Sequence, residues 1–318
     1  MRVAVTGASG FIGTHVVASL AARGDTAIPI TRPFDPAALT SALQFVDVVI
    51  HLAGVVSAVR REDFFTANVG ATEVVARAAR DARARLVHIS SLAAAGPAPG
   101  SAPRSEEDEP RPLTAYGQSK LEGERVVRDL EDLRWTILRP GVVYGPGDRA
   151  MLPLFRYARL GVLPLVGEAS AAYTFIYVED AVRAILAAVD REPANDVIFI
   201  GHERAVTSRR LLETVGAAVR GTAMLVHVPR ALTRAGAVLG DLAGALTGRP
   251  ATINSRRYSE LYAPGFVCHV DRMHERLGVV ASVDLTDGVF LTAAWYRDHA
   301  WLGGRPGPAL KRKVGTRS

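Results

Sequence analysis

Arg2-Val-Ala-Val-Thr6, followed at once by Gly7-Ala-Ser-Gly10-Phe-Ile-Gly13, decides the fold of this chain. The first five residues form a short apolar run and read as a buried strand. Glycines at 7, 10 and 13 then permit a tight turn, a close approach of backbone to a pyrophosphate, and contact between the following helix and the strand. A helix opening at Phe11 points its unpaired N–H groups and the positive end of its dipole at that turn, which favours an anion there. Strand, glycine turn and helix in this order are the first unit of a doubly wound α/β sheet that binds a dinucleotide.

The residues that follow repeat the alternation. Apolar runs at 26–31, 46–51, 85–89 and 135–138 read as further strands, and helical patterns fall at 11–23, 37–43, 62–81 and 115–130. The runs are almost continuously hydrophobic, which suits a parallel sheet covered on both faces. Beyond Pro140 the regularity weakens. A strand at 174–178, a helix at 179–189 and a strand at 197–200 return to the sheet, while 207–299 is mainly helical and broken by Gly and Pro. The expected organisation is a dinucleotide-binding Rossmann domain over 1–165, with 174–202 returning to it. A smaller, partly interleaved substrate lobe covers 203–300, and a basic, disordered tail covers 301–318. The stretch 95–112 is rich in Pro, Gly and acids, and long loops of this kind are often functional.

Composition narrows the function. The chain has 318 residues, 48% of them hydrophobic and 22% charged, as in ordinary globular enzymes. Its net charge of +6 is accompanied by five basic residues and no acid over 305–318, which leaves the rest near neutral. That is not the footprint of a nucleic-acid binder. Cys268 is the single cysteine, so disulfides within the chain and multi-cysteine metal sites are excluded. No signal peptide is visible, and the apolar stretch 231–246 is interrupted by Arg234 and Asp241 and too short to span a bilayer. The expected location is the cytoplasm.

The lysines mark the chemistry. Only three occur, and the one outside the tail is Lys120, four residues after Tyr116 in Tyr-Gly-Gln-Ser-Lys. A compact ammonium one helical turn from a phenol is not interchangeable with a planar guanidinium. Further segments stand in a telling order: His51-Leu-Ala-Gly54, Asn68-Val-Gly-Ala-Thr-Glu73, His88-Ile-Ser-Ser-Leu-Ala-Ala-Ala-Gly96, Arg139-Pro-Gly-Val-Val-Tyr-Gly-Pro-Gly147 and Phe175-Ile-Tyr-Val-Glu-Asp180. Together with the glycine turn, these motifs make residues 1 to about 200 resemble the extended short-chain dehydrogenase/reductase family, of the NAD-dependent epimerase/dehydratase type.

The resemblance implies a catalytic set of Ser91, Tyr116 and Lys120. Ser91 is preferred to Ser90 because it stands five residues before Gly96, as the family serine does. Tyr116 exchanges a proton with a carbonyl or alcohol oxygen, Ser91 hydrogen-bonds the same oxygen, and Lys120 supplies positive charge and holds the nicotinamide ribose. The implied cofactor contacts are Gly7, Ser9, Gly10, Phe11, Ile12, Gly13, Arg32, Leu52, Ala53, Gly54, Asn68, Pro140, Val142 and Val143, with Tyr116 and Lys120. Thr31-Arg32 follows the second strand where an acid would accept the ribose hydroxyls of NAD, so NADP is favoured over NAD. The segment after Arg32 is too short for the family's usual third strand, and Asp35 either replaces the acid found there or caps the next helix. No metal-ligand spacing is present.

Three functions remain open. The first is a reductase or dehydrogenase acting on a hydrophobic ketone or secondary alcohol, as in the 3β-hydroxysteroid dehydrogenase and dihydroflavonol reductase group. The second is a nucleotide-sugar epimerase or dehydratase with bound NAD. Such members carry an arginine shortly before Phe-x-x-Val-x-Asp, where this chain has Ala171, Ala172, Tyr173 and Thr174, leaving Arg149, Arg256 or Arg257 to contact an anion. The third is a non-catalytic NAD(P)-binding sensor or scaffold. A homodimer through helices at 69–81 and 119–130 is expected by analogy with the family.

Overall fold

The computed structural model describes residues 1–98, 102–248 and 255–303; Arg256 and Arg257, and the part of the expected tail beyond Gly303, lie outside the residues or side chains described. The first half alternates as expected: β1 (Arg2–Thr6), α1 (Phe11–Ala22), β2 (Thr26–Ile30), α2 (Pro36–Ala42), β3 (Val48–His51), α3 (Arg61–Phe65), a π-helical turn at Thr66–Gly70, α4 (Ala71–Asp81), β4 (Arg85–Ile89), α5 (Leu92–Ala95), α6 (Ala115–Arg128) and β5 (Trp135–Pro140). Then come β6 (Val142–Tyr144), α7 (Leu152–Arg159), β7 (Val162–Leu165), β8 (Ala172–Tyr173), β9 (Phe175–Tyr177), α8 (Val178–Arg191) and β10 (Asp196–Ile200). The remainder is β11 (Val206–Thr207), α9 (Ser208–Arg220), β12 (Met224–His227), α10 (Arg230–Thr247), α11 (Ser255–Leu261), β13 (Gly265–Phe266), α12 (Asp271–Leu277) and α13 (Leu285–Asp298).

Six parallel strands form the central sheet in the order β10-β5-β4-β3-β1-β2. The order reverses at β1 and β3, and ligands of open α/β sheets bind at such a switch beyond the carboxyl ends of the strands. β2 is the edge of the sheet, and the short segment after Arg32 leads directly into α2. Asp35 caps α2, its carboxylate accepting from the Ala38 N–H at 2.8 Å. Val3, Val5, Val48, Ile50, Val87 and Leu138 bury one face of the sheet against α1 and α8, and Ala4, Val49, Leu86 and Ile137 bury the other against α2 and α4.

The helix expected over 62–81 is continuous but changes pitch. The π turn at Thr66–Gly70 places Asn68 inward between α3 and α4, and single π turns of this kind gather at functional sites. The acid-rich stretch 95–112 is pinned where it is described. Arg104 is buried and donates to the carbonyls of Pro97 and Glu109, its N–H pairs with the Val267 carbonyl, and Glu106 accepts from the Phe199 N–H. Small sheets β11-β8-β13, β12-β7 and β6-β9 carry the region beyond β5, with α7, α9 and α13 around a second core of Tyr144, Phe155, Tyr177, Val215 and Tyr296.

Candidate active site

The turn after β1 requires glycine for two separate reasons. Gly7 has φ +70°, and a Cβ there would lie 2.8 Å from the Ala53 nitrogen, so the loop after β3 touches this turn backbone to backbone. A Cβ on Gly13 would lie 2.1 Å from the Gly7 carbonyl oxygen, which fixes how closely α1 meets β1. Ser9 and Gly10 stand exposed at the start of α1, which has no side-chain cap, and Phe11 and Ile12 are half-buried beside them. The free N–H groups of that first turn suit a pyrophosphate.

Leu52, Ala53 and Gly54 follow β3 and line the neighbouring loop. Asn68 holds this loop from beneath: its amide nitrogen donates to the Val55 carbonyl at 3.0 Å and to Ser119 Oγ at 2.9 Å, and its amide oxygen accepts from the Val55 N–H at 2.8 Å. A Cβ on Gly54 would lie 2.9 Å from that amide oxygen and 3.9 Å from Lys120 Nζ, so the cradle meets the lysine directly.

Three elements converge on Ser91, Tyr116 and Lys120. Ser91 caps α5, its Oγ accepting from the Ala93 N–H at 3.2 Å. Tyr116 lies in the first turn of α6, capped by Thr114, with its ring 6.3 Å from that of Phe64. α5 and α6 pack backbone to backbone, for a Cβ on Gly117 would lie 2.4 Å from the Ala93 carbonyl oxygen. Lys120, one turn further on, is buried and donates to the Ile89 carbonyl at 2.7 Å. Burial lowers its pKa to about 8 against some opposition from Glu124.

The two serines separate in role by geometry. Ser90 is buried and donates to Glu124 Oε1 at 2.5 Å, while Glu124 also accepts two bonds from the buried Arg139, at 2.8 and 2.6 Å. Ser91 is half-buried, and its Oγ accepts from the Ala93 N–H instead. Pro140 ends β5, and Val142 and Val143 run along β6, which pairs with β9. Arg32 stands exposed just beyond β2. Thus the structure brings Ser91, Tyr116, Lys120, Asn68 and Gly54 into one neighbourhood at the carboxyl ends of the strands, with the glycine turn beside them.

Residues 3–201 match the model of the NAD dependent epimerase/dehydratase family. The chain belongs to that family. It is an NAD(P)-dependent oxidoreductase of the extended short-chain dehydrogenase/reductase type. Among curated relatives of the family, it is 32% identical to a ceramide reductase from Caulobacter vibrioides, over 94% of this chain and 96% of the relative. It is also 32% identical to a dTDP-6-deoxy-L-talose 4-dehydrogenase (NAD(P)(+)) from Kitasatospora kifunensis, over 67% of this chain and 77% of that protein. Among solved structures, DesIV, a dTDP-glucose 4,6-dehydratase from Streptomyces venezuelae with NAD and TYD bound, shares the fold with a TM-score of 0.78 at 22% identity, covering 95% of this chain and 99% of that one.

Sequence reading missed the support beneath the family's signature residues. Glu124 and Arg139 flank the motifs, yet nothing in their spacing shows that they pair under Ser90. Thr114 Oγ1 donates to Glu260 Oε1 at 2.7 Å across 146 residues, tying the cap of α6 to α11. Thr6 Oγ1, His51 and Thr72 form a buried chain, with contacts of 2.7 and 3.0 Å to the two His51 ring nitrogens, and the His88 ring stacks on that of His51 at 5.4 Å. His51 is hydrogen-bonded on both ring nitrogens, whereas both ring nitrogens of His88 are buried without a hydrogen-bond partner. No group of His, Cys, Asp or Glu that could hold a metal occurs among the described residues.

Proposed function

We propose that the protein reduces a hydrophobic ketone to its secondary alcohol, or runs the reverse reaction, with Tyr116 as the proton donor and acceptor. The bound nicotinamide supplies or takes up the hydride. Ser91 hydrogen-bonds the carbonyl oxygen and sets it against the phenol. Lys120 keeps a positive charge next to the phenol, which favours loss of its proton, and reaches the nicotinamide ribose. The glycine turn holds the pyrophosphate, Leu52, Ala53 and Gly54 flank the adenosine half, and Pro140, Val142 and Val143 lie against the nicotinamide. Arg32 receives the 2′-phosphate of NADP.

The observation that carries the ketone reading is the wall at β8 and β13. The positions where nucleotide-sugar members present an arginine hold buried Ala171 and Thr174, and the Tyr173 ring stacks on Phe266 at 6.4 Å. Leu92, next to Ser91, joins Ala95, Phe199, Ala263, Phe266 and Cys268 in the same apolar cluster. A diphosphate would find no charge to pair with at these positions, and apolar side chains set beside Ser91 suit a substrate without one. The likeness to a ceramide reductase along nearly the whole chain supports the same reading.

A second reading is a nucleotide-sugar epimerase or dehydratase that retains NAD. In its favour, His202, Arg204 and Arg210 line a cavity of about 210 Å³ with Tyr144 and Phe175, and one curated relative is a deoxysugar dehydrogenase. We place the substrate lobe at 203–300 and a homodimer contact on the outer faces of α4 and α6; a monomeric mass by light scattering at micromolar concentration would remove the dimer.

The experiment is NADPH oxidation against long-chain ketones and dTDP- or UDP-4-keto sugars, after identifying any nucleotide released on denaturation. The ketone reading expects turnover of the lipophilic substrates, reduced about 10²–10⁴-fold in Tyr116→Phe with nucleotide affinity kept. Tightly held NAD and turnover of sugars alone would replace it with the second reading. Wild-type rates in Tyr116→Phe would remove the assigned mechanism.

A further inference from the structure

Helix α10 is built inside out. The side turned toward the protein is small and buried: Thr233, Ala237 and Gly244. The leucines point away from it. Leu232, Leu239, Leu242 and Leu246 are 64%, 66%, 58% and 89% exposed, and Val238 joins them. Their spacing of seven, three and four residues draws one stripe down the helix. A helix that meets only its own core and water turns its leucines inward, and a contiguous apolar face of this length marks a surface with a partner.

The charge around the stripe says what the partner is. Residues 204–262 hold nine arginines against three acids, and 305–318 add five basic residues with no acid, while the rest of the chain carries 24 basic against 29 acidic residues. Positive charge is therefore concentrated in the segment that bears α10. Arg204, Arg209, Arg210, Arg220 and Arg234 are exposed there. A second copy docked on this face would set two such segments against each other, and like charges at a contact are unfavourable. An anionic lipid surface complements both properties, since an interfacial helix buries its apolar face at the acyl boundary while basic groups meet the headgroups.

We propose that α10 seats the protein on an anionic phospholipid bilayer, lying in the interface without crossing it. No described helix is long and apolar enough to span a membrane. The seat also lies next to the chemistry. α10 packs on α11, where Arg230 sits 4.8 Å from the ring of Tyr262, and Glu260 of α11 accepts from Thr114, the cap of the helix that carries Tyr116. A bilayer on α10 thus stands one helix from the site. Delivery of a ketone from the bilayer rests on the hydrophobic-ketone reading; the seat does not.

The test is flotation of the full-length protein with vesicles of phosphatidylcholine alone, or of phosphatidylcholine mixed with phosphatidylglycerol. The protein is expected to float with the anionic vesicles. Binding should fall at least about tenfold on neutral vesicles, or in 1 M salt where the screening length is about 3 Å. Leu239→Glu/Leu242→Glu should abolish flotation with circular dichroism and nucleotide affinity unchanged, and Arg234→Glu should weaken it. Undiminished flotation of the leucine variant would assign binding to the basic terminus and overturn the proposal. So would the absence of flotation, or a micromolar dimer that the leucine variant dissociates.

Discussion

Lys120 Nζ donates a 2.7 Å hydrogen bond to the carbonyl of Ile89, two residues before Ser91. One side chain thereby ties the helix that carries Tyr116 to the strand that delivers Ser91. The same helix is fixed again one turn later, where Glu124 binds Ser90 of that strand end and Arg139 of the next strand. The relative placement of the three proposed catalytic groups is set by buried polar contacts more than by loops.

The lysine also gives the site a pH limit. Burial holds its pKa at about 8, below the ordinary 10.5. The ammonium is present at neutral pH and is lost as pH rises through about 8, so in the free enzyme kcat/KM for ketone reduction should fall above that point. The sign for stability is opposite. Between about 8 and 10.5 the unfolded chain binds the proton that the folded chain has released, so this group's unfavourable contribution, full below pH 8, is relieved as pH rises. A kcat/KM profile of the wild type checks the first limb, and a profile flat to pH 10 would contradict the role given to Lys120.

Breaking the pair beneath the site should cost stability more than chemistry. Glu124→Gln leaves the Arg139 guanidinium, 1% exposed, without its counter-charge, a loss of about 3–5 kcal/mol. Replacing both partners in Glu124→Gln/Arg139→Met should recover much of that. Urea denaturation of the three proteins measures it; a double variant as unstable as the single one would show that the pair's geometry matters beyond its charge.

Arg32 should discriminate between the two dinucleotides. Charged hydrogen bonds contribute about 1.5–3 kcal/mol, so Arg32→Ala should weaken NADPH about 10- to 100-fold and leave NADH nearly unchanged. Fluorescence titration with both nucleotides checks this. Equal losses for the two would remove the phosphate contact.

His51 and His88 should make the fold sensitive to acid. Burial, with the charge of Lys120, holds both below the ordinary 6.5, His51 at about 3. Below pH 6.5 the unfolded chain takes up protons that the folded chain refuses, so stability falls as the pH drops below that point. His88→Phe should make that acid limb shallower in thermal melts between pH 4 and 6.5, and an unchanged limb would place its origin in other groups.

Much of the architecture was legible because it is local. A parallel strand covered on both faces must be apolar along its length, and a turn that admits a pyrophosphate must be glycine. The runs at 2–6 and 85–89 and the triplet Gly7, Gly10, Gly13 therefore announce themselves one residue at a time. Tyr116 and Lys120 are legible for the same reason, since four residues on a helix fix their separation. The sequence by itself thus determined a dinucleotide-binding α/β sheet and the helix that carries Tyr116 and Lys120. Tertiary structure alone decided that Glu124 serves Ser90 and Arg139, and that Thr114 is tied to Glu260. It alone turned the leucines of α10 outward and Thr233, Ala237 and Gly244 inward. Periodicity shows that a helix has two faces, but which face meets the core depends on elements brought together from far along the chain.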